Sequence, residues 1–198
     1  MTPLLQRQRG YVLKSNGEKF SWLEIMQQAS SGQLEAMMRA GTAPPYENLA
    51  GWEFAGGNTP NIYRVVGIRK FVKGFYDGGD ARERRGPKPF IQGYNIDVPD
   101  NDDQAPHQLA DEPKRWGFYR THAVVEGSAD SLYPNALLLD YSLGGNGPLG
   151  PPLRDYLVQI YPENPDLLLG KAYLNLLGVR VPSNFFVLER LHQHDFTG

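Results

Sequence analysis

The sequence predicts a mainly β fold, with a single antiparallel barrel of about eight to ten strands after a short N-terminal helical segment. Three observations lead to this prediction. After Pro45, apolar and polar residues alternate with the period of two that is typical of strands. The 22 glycines and 16 prolines are spread along the chain, which indicates many turns and short elements. Glycines also recur inside the predicted strands, where they favour strong curvature.

The composition of the 198 residues is typical of one folded domain. A net charge of −2 gives no electrostatic reason to predict nucleic acid as a partner. The chain contains no run of about 18 apolar residues, so we predict no membrane span. The absence of cysteine excludes disulfides, a thiol nucleophile and a cysteine-ligated metal. The first residues lack the apolar segment of a signal peptide, which predicts a cytoplasmic location.

We divide this single predicted domain, residues 1–198, into three parts. They are an N-terminal arm with the helical segment (1–45), the barrel (46–191) and a tail (192–198). In the tail, His192 and His194 alternate, so on a strand they would share one face and could bridge a metal. The alternative is a frayed, exposed tail, and we predict no metal site.

Two short helices, or one broken helix, are predicted between residues 21 and 40. Ser21 and Glu24 have the spacing of a capping box, in which the hydroxyl and the carboxylate each accept from the other residue's amide. Ser30 and Gln33 repeat this box. Gly41 is suited to end the helical segment.

Eight candidate strands follow, each bounded by Gly, Pro, Asn or Asp residues. They cover residues 51–56, 69–76, 90–97, 115–126, 135–142, 153–161, 167–176 and 184–191. Four of them contain a glycine before a larger residue, which suits a sheet that bends hard or a ring that lies over backbone. These glycines are Gly74, Gly93, Gly117 and Gly170. Two polar loops, 77–89 and 99–113, are predicted to be mobile, either as solvated loops or as a lid over the barrel mouth.

The strand at 115–126 carries the side chains that are most typical of a pocket wall. Alternation places one set of them on a common face. This set consists of Trp116, Phe118, Arg120, His122 and Val124. Two aromatic rings, an arginine and a histidine on one face are typical of an amphipathic pocket wall. The alternative is an outward face whose arginine and histidine meet solvent.

Charged residues also lie within otherwise apolar strands. The carboxylates among them are Asp140, Asp155 and Glu189. A carboxylate that faced inward would have a raised pKa or need an arginine partner, and would be a candidate for acid–base catalysis. The alternative is that they point outward. Lys73 shares a face with Phe71 and Phe75, where it would hold an anionic headgroup or act as the gatekeeping charge of an edge strand.

Short stretches of the chain resemble a known bacterial family. "LAGWEFAGGN" (49–58) and "GIRKFVKGFY" (67–76) resemble the start of the GXWXG-type domains of unknown function. Four later stretches resemble the C-terminal partner domain of that family, namely "LLLDY" (137–141), "PLRDYLVQI" (152–160), "PDLLLGKAYL" (165–174) and "NFFVLER" (184–190). More broadly, a Gly/Trp strand after a helical segment is similar to the lipocalin-like (calycin) architecture. The resemblance implies an up-and-down antiparallel barrel with a cavity, and no established reaction.

The sequence leaves three functions open. In the first, the barrel binds a small, largely apolar molecule, with or without an acidic group, and no cofactor. The predicted contacts are Trp52, Phe54, Phe71, Lys73, Phe75, Tyr94, Trp116, Phe118, Arg120 and Phe186. Of these, Trp52 is favoured as a packing anchor at the barrel end.

In the second, the cavity is the active site of an isomerase, cyclase or hydratase, with His122 and either Asp140 or Glu189 as the catalytic pair. In the third, the barrel core is filled and the protein binds a partner or forms a homodimer through its helical segment. The apolar patch that would serve this contact consists of Trp22, Met26, Met37 and Met38.

Overall fold

The computed structural model describes residues 6–8, 11–59, 68–78, 91–100, 102–143, 146–147, 152–177 and 179–198. Its main feature is a closed barrel of eight antiparallel strands. A separate hairpin and the helices come first, namely β1 (Gln6–Gln8), β2 (Tyr11–Leu13), α1 (Trp22–Gln27), α2 (Ser31–Ala40) and a short 3-10 helix (Tyr46–Asn48). The barrel strands are β3 (Trp52–Asn58), β4 (Lys70–Tyr76), β5 (Gln92–Asp97), β6 (Arg115–Ala123), β7 (Leu137–Asp140), β8 (Leu153–Tyr161), β9 (Asn164–Leu176) and β10 (Val179–Gln193). A second 3-10 helix (Tyr141–Leu143) follows β7.

The topology confirms the predicted mainly β, antiparallel barrel. From β3 onward each strand pairs with the next one in the sequence, and β10 pairs with both β9 and β3, which closes the ring. The eight predicted strands correspond to β3–β10. The largest differences are in β10, which has 15 residues and is longer than predicted, and in β7, which has four residues and is shorter than predicted.

Both predicted capping boxes are present and begin the two helices. The Ser21 hydroxyl accepts from the amide of Glu24 at 3.3 Å, and the Glu24 carboxylate accepts from the amide of Ser21 at 2.8 Å. Ser30 and Gln33 make the same two hydrogen bonds at the same distances. Gly41 ends α2, as predicted.

The helices α1 and α2 pack against the outside of the barrel wall and not over one of its ends. Trp22, Met26, Met37 and Met38 are buried in an apolar layer together with outward-facing side chains of β8, β9 and β10. The patch that the sequence suggested for a partner is therefore already covered by the barrel of the same chain.

The barrel interior is filled over roughly half of its length. Buried rings and aliphatic side chains from seven of the eight strands meet there. They include Phe54, Phe75, Tyr119, Leu139, Leu157, Leu168 and Leu188. The rings of Phe54 and Phe75 meet edge to face with their centroids 5.6 Å apart. This filled half lies toward the start of β3 and the end of β10.

Arg190 and Trp52 close the barrel at the filled end. The guanidinium carbon of Arg190 lies 4.2 Å from the centroid of a Trp52 ring, a distance at which the cation is attracted to the ring face. Nη2 of Arg190 also donates to the carbonyl of Asn48, the last residue of the first 3-10 helix, at 3.0 Å. The structure thus places Trp52 as a packing anchor of the barrel end.

The described part of the loop at 99–113 is attached to the barrel wall. Nζ of Lys70 donates to the carbonyls of Asp102 and Ala105, both at 2.8 Å. Nε2 of His107 lies 2.9 Å from the carbonyl oxygen of Gly56. These bonds attach the loop to the barrel, while most of its described residues remain exposed to solvent as predicted. Most of the other predicted loop, residues 79–89, lies outside the described residues. Within the described ranges, the helices are too short to cross a membrane.

Candidate functional site

A cavity of about 190 Å³ lies inside the other half of the barrel, where β3 ends and β4 begins. Its wall combines apolar and aromatic side chains with one buried polar cluster. The residues that form it include Phe71, Lys73, Asn95, Tyr141, Leu153, Asp155, Ala172 and Phe186. Partly exposed residues, among them Ile68, Trp116 and Asn184, complete the lining, so the cavity reaches the surface at this end.

A strand glycine shapes one wall of the cavity. Gly170 pairs with Phe186 across β9 and β10. A Cβ atom at position 170 would lie 2.0 Å from Cζ of the Phe186 ring. Glycine therefore lets the ring lie directly on the β9 backbone, which is the use predicted for the strand glycines.

Lys73 is the centre of the polar cluster and is 2% exposed. Its Nζ donates to the hydroxyl of Tyr141 at 2.7 Å, to Oδ1 of Asn95 at 2.9 Å and to Oδ2 of Asp155 at 3.2 Å. The Tyr141 hydroxyl donates to the same Oδ2 at 2.8 Å. The cluster joins β4, β5 and β8 to the 3-10 turn after β7, so it links distant parts of the barrel through its interior.

Burial and Asp155 shift the pKa of Lys73 in opposite directions. Burial lowers the pKa of Lys73 because the ammonium loses its water, and the Asp155 carboxylate partly restores it. Ring faces add to the stabilisation of the cation, since Nζ lies 4.7 Å from the Tyr119 centroid and 5.3 Å from that of Phe186. Burial, and then the nearby Asp155, raises the pKa of Tyr141 well above its usual value, so its hydroxyl remains a donor.

Four of the predicted ligand contacts line the cavity. They are Phe71, Lys73, Trp116 and Phe186. Phe54 and Phe75 also face inward but belong to the filled half. Alternation thus placed the interior face of β4 correctly, including its lysine.

In β6, Gly117 reverses the predicted alternation. Gly117 has a φ of +57°, which glycine adopts without the penalty of a Cβ, and the register between β5 and β6 shifts beside it. A bulge of this kind moves every later side chain to the other face of the strand. Beyond it, Tyr119 and Thr121 are the buried, inward residues. The predicted pocket-wall residues that instead face outward are Phe118, Arg120 and His122.

His122 and Asp140 approach one another, but on the outer surface of the barrel. His122 Nε2 lies 3.9 Å from Oδ2 of Asp140, and this carboxylate raises the pKa of the histidine, first as an acceptor of its proton and then by its charge. Arg154 Nη1 binds the same carboxylate at 3.0 Å. Glu189 is exposed on β10, across the ring from β6. The predicted catalytic residues therefore do not meet inside the cavity.

Tyr94 also faces outward, contrary to the prediction, and forms part of the docking site of the C-terminal tail. Its hydroxyl donates to Oε1 of the buried Glu53 at 2.7 Å. Nε2 of His192 lies 2.9 Å from the other oxygen of Glu53, and the Phe196 ring lies 4.9 Å from that of Tyr94. The tail is thus packed on the barrel wall and is not frayed. Across the described ranges, His, Asp and Glu side chains form no cluster of three or more suited to a metal ion.

Two members of the polar cluster, Asn95 and Tyr141, were not among the predicted contacts. Asp155 was recognised as a strand carboxylate, but without its partner. The alternation of inward and outward residues contained this information. A buried lysine needs an acceptor, and Asp155 shares a strand face with Leu153 and Leu157. On β8, this alternation puts the Asp155 carboxylate on the inward face of the barrel, where Lys73 also lies.

A scan against protein-family models and searches of curated proteins and of solved structures found no match to this chain. The closed eight-stranded barrel is compatible with a lipocalin-like fold. The resemblance to the GXWXG-type domains has no support from the family models.

Proposed function

We propose that this protein binds one small, largely apolar molecule in the open half of its barrel. The observation that carries the proposal is the cavity of about 190 Å³, which has an aromatic wall and the Lys73 cluster at one side. Ligand sites in proteins are typically concave, mostly apolar and equipped with a few converging polar groups. The filled half of the barrel serves as the floor of this site.

The size of the cavity limits the ligand. An engineered cavity of about 150 Å³ in another protein takes up benzene. A cavity of about 190 Å³ therefore suits a single ring with a short substituent. A ligand of about ten non-hydrogen atoms supports dissociation constants between about 1 µM and 1 mM.

Native mass spectrometry of the gently purified protein, followed by calorimetric titration with single-ring probes, tests the proposal. We expect a bound small molecule, or saturable binding of a ring probe with a stoichiometry of one. A protein that carries no molecule and binds none of the probes would contradict the proposal.

A matched pair of variants locates the binding. Ala172 lines the cavity and Ala123 is exposed at the end of β6. Ala172→Leu adds the same atoms as Ala123→Leu but fills the cavity. We expect the first variant to lose probe affinity by about tenfold or more and the second to bind like the wild type.

The resemblance to the GXWXG-type domains and the cytoplasmic location stay predictions, as does a homodimer, although not through the helical patch that the barrel covers. If the family relation holds, binding in this barrel would be a property to test in its other members.

A further inference from the structure

We propose that the ligand is an uncharged molecule that donates a hydrogen bond to Oδ1 of Asp155. This inference rests on the proposed function and adds the chemical class of the ligand. It also changes the expectation from the sequence, in which Lys73 would hold an acidic group of the ligand.

The hydrogen bonds of Lys73 are the first argument. An ammonium group has three donors. Those of Lys73 are directed at Tyr141, Asn95 and Asp155, at distances of 2.7–3.2 Å. A ligand carboxylate would have to displace one of these buried acceptors before it could bind the cation.

The oxygens of Asp155 are the second argument. Oδ2 accepts from both Lys73 and Tyr141. Among the described residues, none donates a hydrogen bond to Oδ1. Asp155 lines the cavity although it is only 4% exposed. A carboxylate oxygen that faces a cavity with so little exposure gains from a donor, and a ligand bound there would supply one in place of water.

The charges of the site are the third argument. Among the described residues that line the cavity, Lys73 and Asp155 carry the charges, and these cancel. A charged ligand would enter the barrel without a counter-ion of its own, which is costly in a buried site. A carboxylate ligand would meet Asp155, and an ammonium ligand would meet Lys73.

The occupied donors of Lys73, the available oxygen of Asp155 and the balanced charges favour one class of ligand: a single-ring alcohol, phenol or N–H heterocycle. Its apolar part would lie against Phe71 and Phe186, and its O–H or N–H would reach Asp155. A pure hydrocarbon would fit the walls but leave the carboxylate oxygen without a donor.

Four probes of nearly equal size test the inference: benzyl alcohol, ethylbenzene, benzylamine and benzoate. Calorimetric titration of the wild-type protein near pH 7 measures each affinity. We expect benzyl alcohol to bind about tenfold or more tightly than ethylbenzene, because a hydrogen bond to a charged acceptor is worth at least this factor. Benzylamine and benzoate should bind more weakly than the alcohol.

Two variants identify the acceptor. Lys73→Met leaves the Asp155 carboxylate without its cation, so we expect benzylamine to become the tightest of the four probes. Lys73→Met combined with Asp155→Leu removes both charges, and we expect benzyl alcohol to lose its advantage while ethylbenzene still binds. Circular dichroism tests whether each variant is folded. Where a variant does not fold, the order of the four wild-type affinities still tests the inference.

The outcomes separate this inference from the proposed function. Tightest binding of benzoate or benzylamine by the wild type, or equal binding of benzyl alcohol and ethylbenzene, would overturn the inference and leave the binding function intact. An advantage of benzyl alcohol that survives in the double variant would also overturn it. Failure of all four probes to bind would overturn the proposed function itself.

Discussion

The barrel wall separates two pairs of a basic group and a carboxylate. Lys73 and Asp155 meet inside, with side chains that are 2% and 5% exposed. His122 and Asp140 meet outside, where they are 25% and 12% exposed. The inner pair is 3.2 Å apart, and the outer pair is 3.9 Å apart. The inner pair has hydrogen-bonding neighbours on β5 and on the 3-10 helix after β7, whereas the outer pair shares its carboxylate with Arg154.

The difference shows how burial changes the role of similar groups. Inside the barrel, each charge depends on protein partners, because water and salt cannot take their place. Outside, solvent screens the attraction, and loss of one partner leaves a charge that water can hydrate. The inner pair therefore stabilises the wall of the cavity and, in our proposal, also provides the acceptor for the ligand.

The largest expected effect is the loss of one member of the inner pair. Asp155→Ala or Lys73→Met should lower the free energy of unfolding by about 3–5 kcal/mol, because each leaves an uncompensated buried charge. Urea unfolding measures this loss. Lys73→Met combined with Asp155→Leu should lose less than either single variant. A double variant that loses the sum of both single effects would contradict our description of a coupled pair.

The bulge that places the outer pair outside can be tested at Gly117. Gly117→Ala should cost about 1–3 kcal/mol, because the residue has a φ of +57° and a Cβ would lie 2.7 Å from Nδ2 of Asn95. Gly127→Ala is the matched control, since Gly127 has a φ of +76° with no described atom within 4 Å of that position. Both substitutions introduce the same kind of backbone strain. The difference between their losses in free energy of unfolding, measured with urea, therefore reports the crowding at Asn95. Equal losses would show that the bulge leaves room there.

The outer pair should make stability depend on pH. Asp140 raises the pKa of His122 above its ordinary value of 6.5, so the folded state binds this proton more tightly than the unfolded state. The resulting stability is fully present below pH 6.5 and is lost as the pH rises through the folded pKa. The wild type should exceed His122→Gln by less than about 1 kcal/mol at pH 5.5, and by less at pH 8. A difference that grew toward high pH would contradict the pairing.

The smallest expected effect is that of His122 on binding. Because His122 lies outside the cavity, His122→Gln should change the affinity for benzyl alcohol by less than about twofold. Calorimetric titration checks this. A tenfold or greater loss of affinity would show that His122 contributes to the binding site, and would support the acid–base enzyme suggested by the sequence.

The elements were predictable because their signals are local. The capping boxes of Ser21 and Ser30 lie within four residues, and the period of two reports strands directly. Alternation on β4 also placed Lys73 on the same face as Phe71 and Phe75, where the structure has it. These signals require no knowledge of which strands become neighbours.

The site was only partly predictable because its contacts are distant in sequence and depend on backbone conformation. Lys73 and Asp155 are 82 residues apart, and only closure of the barrel brings them together. The inward and outward positions of β6 exchange at Gly117. Nothing in the side-chain pattern shows whether a strand glycine at this position forms a bulge or continues the regular strand. One such residue moved the predicted pocket wall to the opposite face.

The pairing of β10 with β3 has a consequence for biosynthesis. Until the ribosome has added the last strand, β3 has an open edge, which can pair with another chain. The contact of Phe186 with Asn58 spans more than half of the chain, and such non-local pairings form late and slowly. A polypeptide that stops before β10 would therefore expose two sheet edges and the future ligand cavity together. Its release from the ribosome would favour aggregation over a smaller, working barrel.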